Sequence, residues 1–265
     1  MNKSILVTGG TGALGRVVVD QLIDTGQVTR VMSRRARRSE DGAPYEWATA
    51  DLESGHGIDA ALTGVDVVAH CATAMNGRKD VAGVRTLVAA ARRTGSPHLV
   101  YISIVGVDKV PLGYYRGKLA AERIVEESGL PYTILRATQF HDLLRVMFAG
   151  TAKLPVMLVP DLRFQPIDTG DVANRVVELA TAAPIGRAPD IAGPQVREAR
   201  DLARAYLQAI GRRRSIVPIR LPGKTFRAFR EGGNLAPEHP IGKITFEEYL
   251  AVHANAASVS YRGKR

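Results

Sequence analysis

A glycine-rich turn near the start of the chain limits its fold more than any other stretch: Ser4-Ile5-Leu6-Val7-Thr8-Gly9-Gly10-Thr11-Gly12-Ala13-Leu14-Gly15. The apolar run Ile5 to Val7 reads as a buried parallel strand, and Leu14, Val17, Val18 and Leu22 then recur at helix spacing. Gly10-x-Gly12-x-x-Gly15 fits the dinucleotide fingerprint, and Thr8-Gly9-x-x-Gly12-x-x-Gly15 fits its tighter variant. Gly9 or Gly10 permits a turn that a Cβ would hinder. Gly12 lets the backbone approach a pyrophosphate, and Gly15 lets the helix pack on the strand. The free N–H groups and positive dipole end of that helix favour phosphate, so Gly9, Gly10, Thr11, Gly12, Ala13, Leu14 and Gly15 form a candidate cradle.

The remaining pattern extends this unit. Strands are expected at 28–32, 45–50, 65–69, 98–102 and 132–136, with helices at 58–62, 81–93 and 115–127 between them. Alternation of this kind predicts an α/β fold, a doubly wound parallel sheet of Rossmann type covered on both faces. Beyond residue 140 the rhythm loosens. Apolar 154–159 is interrupted by Pro155, short strands are expected at 164–167, 191–192 and 215–219, and helices at 169–180, 199–210 and 245–254. The expected division is a nucleotide-binding core over 1–140 and a smaller, partly interleaved substrate lobe over 141–265.

Composition narrows the function classes. With 45% hydrophobic and 23% charged residues in 265, the chain is an ordinary globular protein with room for a large core. The formal net charge of +10 raises nucleic acid as a partner, but the basic groups Arg34–Arg38, Arg92-Arg93, Arg212–Arg214 and Arg262–Arg265 are separated and lack interleaved aromatics. A solvated basic surface is expected, with no specific nucleic-acid partner. Cys71 is the only cysteine, which excludes an internal disulfide and fits a reducing compartment. There is no signal-peptide pattern and no apolar run near the ~20 residues of a membrane span, so a cytoplasmic protein without a membrane partner is expected. The pattern leaves the oligomeric state open.

The end of the second strand selects the cofactor. An NAD-binding fold carries an acidic residue there; this chain reads Ser33-Arg34-Arg35-Ala36-Arg37-Arg38, and its first carboxylate is Glu40. Guanidinium groups of Arg34 and Arg35, with the Ser33 hydroxyl, suit a 2′-phosphate, so NADP(H) is expected. Asp51 and Leu52 follow the third strand, where a side chain can meet the adenine edge. Ala72 and Thr73 follow the fourth, where small residues let a cofactor lie close. Cys71 beside them serves equally well as a small core residue.

Tyr114 and Lys118 are four residues apart, so on a helix they share one face. A nearby ammonium lowers a phenol's pKa from about 10 and equips it for proton transfer. Ser103, at the end of the fifth strand, is placed to donate to the same oxygen, and Tyr115 competes with Tyr114 for the inward position. Gln139, Phe140 and His141 follow the sixth strand, at the sheet edge where ligands of open α/β folds bind. They are the expected substrate contacts, with a helix-surface position the other reading of His141. No metal-ligand spacing occurs, and no metal is expected.

These residues resemble the short-chain dehydrogenase/reductases of the atypical or extended kind, and most of all the NmrA-like NAD(P)H-binding proteins. The likeness rests on Thr8 to Gly15, on Tyr101-Ile102-Ser103, and on Tyr114-x-x-x-Lys118 running into Leu119-Ala120-Ala121-Glu122. Arg136-Ala137-Thr138-Gln139-Phe140, Gln165-Pro166-Ile167-Asp168 and Asp171-Val172-Ala173 extend it. It covers nearly the whole chain, loosely after residue 195. It implies a Rossmann core, NADP(H), contact of Lys118 and Ala137 with the cofactor, and Ser103, Tyr114 and Lys118 as the catalytic set. Ser103 and Tyr114 stand closer together here than in most extended members, so the loop joining them is short. Some NmrA-like proteins bind dinucleotide without turning it over and often lack the tyrosine, which this chain keeps. The expected activity is reduction by NADPH of a carbonyl or conjugated double bond in a small organic molecule. The alternatives are a non-catalytic NADP(H) sensor that regulates a partner, and an isomerase or dehydratase that keeps its cofactor bound.

Overall fold

The structure, a computed structural model, describes residues 2–36, 42 and 44–253. Arg37, Arg38 and Glu40, the end of the last expected helix at Ala254, and the basic tail Arg262–Arg265 lie outside the described residues.

In chain order the elements are β1 (Ser4–Thr8), α1 (Ala13–Asp24), β2 (Val28–Ser33), β3 (Glu46–Thr49), α2 (Ile58–Leu62), β4 (Val67–His70), α3 (Gly77–Arg93), β5 (His98–Ile104), α4 (Gly113–Glu126), β6 (Tyr132–Ala137) and α5 (His141–Thr151). They continue with β7 (Val156–Pro160), β8 (Arg163–Phe164), α6 (Thr169–Thr181), β9 (Gly186–Arg187), β10 (Arg197–Glu198), α7 (Ala199–Ala209), β11 (Ser215–Ile219), α8 (Lys224–Arg230) and α9 (Phe246–His253). A parallel sheet of seven strands runs in the order β3-β2-β1-β4-β5-β6-β9. The order reverses direction beside β1, and that crevice is where open α/β sheets bind ligands.

The chain divides into two compact units. The first holds the residues up to Ser103, Gly113–Arg136 and Ala173–Pro189. Its centre is β1, whose Ile5, Leu6 and Val7 are fully buried between β2 and β4. A strand covered on both faces needs a continuous apolar run, and this one has it. From α1, Leu14, Val18, Val19 and Leu22 are buried. Helix α3 begins a turn before its expected start because the Asn76 side chain accepts the N–H groups of Arg78 and Lys79. Its Val84, Leu87 and Val88 join the core, each contributing about 1.5–3 kcal/mol on full burial.

The first unit has one strand more than the sequence pattern suggests. Strand β9 is only Gly186–Arg187, pairing in parallel with Thr133 and Ile134 of β6, and two residues carry no periodicity to read.

The second unit holds Ile104–Leu112, Ala137–Val172 and the residues from Asp190 onward. Its core gathers Leu144 and Phe148 of α5, Met157 and Val159 of β7, Leu202 and Tyr206 of α7, and Phe246 and Tyr249 of α9. The expected strand at 215–219 is β11, and it pairs in parallel with β7, which forms within the apolar stretch 154–159 despite Pro155. Ile191, expected in a strand, makes only an isolated bridge to Ala137. Two helices escape the sequence pattern. In α5 the buried positions include His141, Asp142 and Arg145, so polar residues interrupt the apolar stripe; α8 buries no residue at all. The short segment after Ser103 belongs here. Gly106, at φ +86°, packs on the Gly233 carbonyl, a place no side chain can enter.

Candidate active site

All the geometry of the first unit's site starts at the glycine turn. Gly9 is the glycine that makes it, at φ +68°, and a Cβ there would stand 2.7 Å from Ala72 Cα. The Gly12 N–H closes the turn on the Gly9 carbonyl at 2.8 Å. Gly15 is required by the same carbonyl, which a Cβ would strike; the expected packing of Gly15 on the strand is replaced by packing on the turn. Helix α1, which opens with Ala13 and Leu14, has Gly12 as N-cap, no side-chain cap and no acidic residue in its first turn. Its first N–H groups and positive dipole end are therefore met by no acidic side chain of its first turn and by no side-chain cap, the condition a phosphate needs. The contrast is α3, capped by Asn76 with Asp80 in its first turn. The turn fits a dinucleotide's pyrophosphate. Gly10 and Thr11 also line a groove of about 230 Å³ with Arg16, Val31, Tyr45 and Trp47.

Around the turn, the ends of the strands are tied together. Thr8 Oγ1 meets His70 Nδ1 at 2.8 Å, joining β1 to β4. Burial, helped by the Lys118 charge, pushes His70 down to about 3, so it stays neutral. At the end of β2, the Ser33 hydroxyl accepts the Arg35 N–H at 3.2 Å, and Arg34 and Arg35 are exposed. Burial opposes the charge of Asp51. Yet the Glu53 N–H, the Ser54 hydroxyl and the Arg34 charge together hold its carboxyl below the ordinary value. Asp51 thus shapes its own turn, while Leu52 packs on the core beside it. Burial pushes the Cys71 thiol up to about 12, against the Lys118 charge, which leaves it unreactive.

The Tyr-Lys pair lies on α4. Lys118 is buried; its Nζ donates to the Ile102 carbonyl at 3.1 Å and stands 4.9 Å above the Tyr101 ring. Burial pushes the Lys118 ammonium below its ordinary range, opposed by Asp80, Cys71 and Glu122. Tyr114 is half-buried, and its hydroxyl lies 2.9 Å from the Thr73 hydroxyl. Tyr115 is buried. Ser103 is buried too, facing the Glu122 carboxylate closely enough to help hold it ionised, without the geometry of a full hydrogen bond. Glu122 is fully buried and receives Arg136 at 2.9 and 2.7 Å and Arg187 at 3.2 Å. Burial would raise its pKa, but these cations and Ser103 bring it below the ordinary value.

The other expected residues belong to the second unit. Ala137 is buried, its carbonyl accepting the Val105 N–H at 3.0 Å. Gln139 donates to the Asn234 carbonyl at 3.3 Å, and Phe140 precedes α5 in a bridge to Ile167. His141 is fully buried, its Nε2 3.0 Å from the Ile244 carbonyl and its ring against Phe246 and Tyr249. It is neither at the helix surface nor open to a ligand, and burial pushes its pKa down. Gln139 and His141 are thus engaged in packing the second unit.

Asp80 and His70 carry much of this arrangement and were not singled out from the sequence pattern; Glu122 figured there only as the end of the motif that follows Lys118. Only the acidic position in the first turn of α3 offered a signal, for Asp80. Among the described residues no group of three or more His, Cys, Asp or Glu could hold a metal, and no helix is long and apolar enough to cross a membrane.

A parallel sheet whose first strand feeds a glycine turn and an uncapped helix defines an NAD(P)-binding protein with a Rossmann-type oxidoreductase fold. The NAD(P)H-binding family profile matches residues 9–183, and the chain belongs to that family, among the atypical, NmrA-like short-chain dehydrogenase/reductases. It is 31% identical over 214 residues to the (4-alkanoyl-5-oxo-2,5-dihydrofuran-3-yl)methyl phosphate reductase of Streptomyces griseus, covering 78% of this chain and 74% of that one. It is 33% identical over 150 residues to the photosystem II assembly factor Ycf39 of Cyanophora paradoxa, covering 52% of this chain and 46% of the relative. The NADPH-dependent quinone oxidoreductase of Escherichia coli, solved with NADPH, superposes with a TM-score of 0.78 at 20% identity, over 93% of this chain and 98% of that one.

Proposed function

We propose that the chain is an NADPH-dependent reductase acting on a carbonyl or conjugated double bond of a small organic molecule. The observation that carries this reading is a continuous run of contacts in the first unit. The glycine turn abuts Ala72 through Gly9, the next residue, Thr73, bonds Tyr114, and Lys118 lies one helical turn beyond on the same face. This run supports a phenol and a buried ammonium beside a dinucleotide laid across the sheet edge. Relatives that are reductases support the same class.

When bound, the nicotinamide supplies the hydride. Tyr114 then gives its proton to the substrate oxygen as negative charge gathers there, and the Lys118 ammonium stabilises the phenolate left behind. Ser103 is kept as a polarising donor in this reading: its one hydroxyl proton turns from the Glu122 side to the substrate oxygen. Arg34 and Arg35 favour NADPH over NADH by meeting the 2′-phosphate with charge-assisted hydrogen bonds. The test is NADPH absorbance followed with a panel of quinones, enones and ketones. Oxidation that depends on one of them supports the reductase.

A second reading, a protein that binds the dinucleotide and regulates or assembles a partner, is favoured by the likeness to the photosystem II assembly factor. Tight NADPH binding with no turnover on any compound of the panel would select it.

A further inference from the structure

Asp80 is a buried carboxylate that the reaction as described leaves unused. Its oxygens divide their work: Oδ1 accepts the Ala74 N–H at 2.7 Å, and Oδ2 accepts the Thr73 hydroxyl at 3.3 Å. Thr73 Oγ1 also accepts the Met75 N–H at 3.1 Å and lies 2.9 Å from the Tyr114 hydroxyl. A hydroxyl has one proton and two lone pairs. With its proton on Asp80 and one lone pair on Met75, Thr73 can meet Tyr114 only as an acceptor. The direction of the chain is thereby fixed: Tyr114 donates to Thr73, and Thr73 donates to Asp80. The segment is held against strain as well, since Met75 sits at φ +54°, where a side chain is disfavoured.

We propose that Asp80, acting through Thr73, is the positioning residue of Tyr114: it holds the Thr73 hydroxyl so that the phenol donates to it, and thereby fixes the phenol's orientation. This rests on the reductase reading. When Tyr114 gives its proton to a substrate oxygen, Thr73 turns its own hydroxyl proton from Asp80 to the phenolate, exchanging one hydrogen bond for another with no proton lost. The charge of Asp80 reaches Lys118 from α3. The other titratable groups facing that ammonium are Cys71 and His70 at the end of β4, Tyr101 beneath it on β5, and Glu122 on its own helix.

Asp80→Asn removes the charge and keeps an acceptor for Ala74. Thr73→Val removes the relay while Asp80 stays, and Thr73→Ser restores it. In the cofactor-free protein, the titration midpoint of Lys118 Nζ, followed by NMR, should fall in Asp80→Asn, since a nearby anion favours the charged amine. With NADPH and a substrate from the panel, Thr73→Val should lower kcat by about 10²-fold, as expected of a misplaced reacting group, and Thr73→Ser should recover it. An Asp80→Asn enzyme that turns over at the wild-type kcat overturns the proposal. So does a Thr73→Val enzyme with wild-type kcat while Tyr114→Phe is inactive, and the reductase reading survives both results. Wild-type turnover by Tyr114→Phe rejects that reading itself.

Discussion

Gly117 and Gly77 meet backbone to backbone, so closely that a methyl group on Gly117 would overlap Gly77 Cα. Gly117 lies between Tyr114 and Lys118 on α4, and Gly77 opens α3, three residues before Asp80. This contact sets the depth at which the two helices pack, and with it the reach from Tyr114 to Thr73.

Gly117→Ala should therefore act on stability and chemistry together. Overpacking costs about 1–3 kcal/mol, to be read from urea unfolding, and turnover should fall with it. Gly150→Ala, with open space around its Cα, is the control and should be neutral or stabilising by about 0.5–1 kcal/mol.

Tyr114→Phe deletes one oxygen from a half-buried side chain. Turnover should drop about 10²–10⁴-fold, the usual contribution of a general acid, while NADPH affinity by calorimetry stays the same. Tyr115→Phe, run alongside, should reduce at close to the wild-type rate. The opposite pattern would transfer the role to Tyr115.

Arg34→Ala combined with Arg35→Ala should abolish the preference for NADPH over NADH in calorimetric titrations. Each charge-assisted bond to phosphate is worth roughly 1.5–3 kcal/mol, so at least a tenfold loss is expected for NADPH and little for NADH. Equal losses for both nucleotides would reject the assignment.

Glu122 ties acid stability to the ion pair with Arg136. Its folded pKa lies below the unfolded value, so the stability it brings is present above the ordinary carboxylate range and is lost as pH falls through the folded pKa. Glu122→Gln removes the buried carboxylate that Arg136 and Arg187 share, and about 3–5 kcal/mol should be lost at neutral pH. The variant's unfolding free energy should also vary less with pH below about 4.5 than the wild type's. Parallel acid limbs would show that Glu122 is not the group responsible.

The fold was legible because its signals are local. Ile5 to Val7, Gly9 to Gly15 and the spacing of Val84, Leu87 and Val88 each state strand, turn or helix within a few residues. Helix α5 was not legible, because His141, Asp142 and Arg145 face inward and find Ile244 and Tyr249 about a hundred residues away. The same distance explains why Gln139 and His141 resembled ligand contacts: a polar residue at a strand end looks alike whether it meets a substrate or Asn234.

By itself the sequence determined the parallel sheet, the glycine turn between β1 and α1, the arginines at the end of β2 and the shared face of Tyr114 and Lys118. All of these follow from periodicity and from residue chemistry over short spans. Only the tertiary structure decided that Gly9 rather than Gly10 makes the turn, that Tyr114 bonds Thr73 while Tyr115 is buried, that Asp80 holds Thr73, and that Lys118 meets the Ile102 carbonyl. Those outcomes depend on α3, α4 and the ends of β4 and β5 approaching within hydrogen-bond distance. A hydrogen bond is set by distances of about 3 Å between atoms far apart in the chain, and no local pattern encodes them.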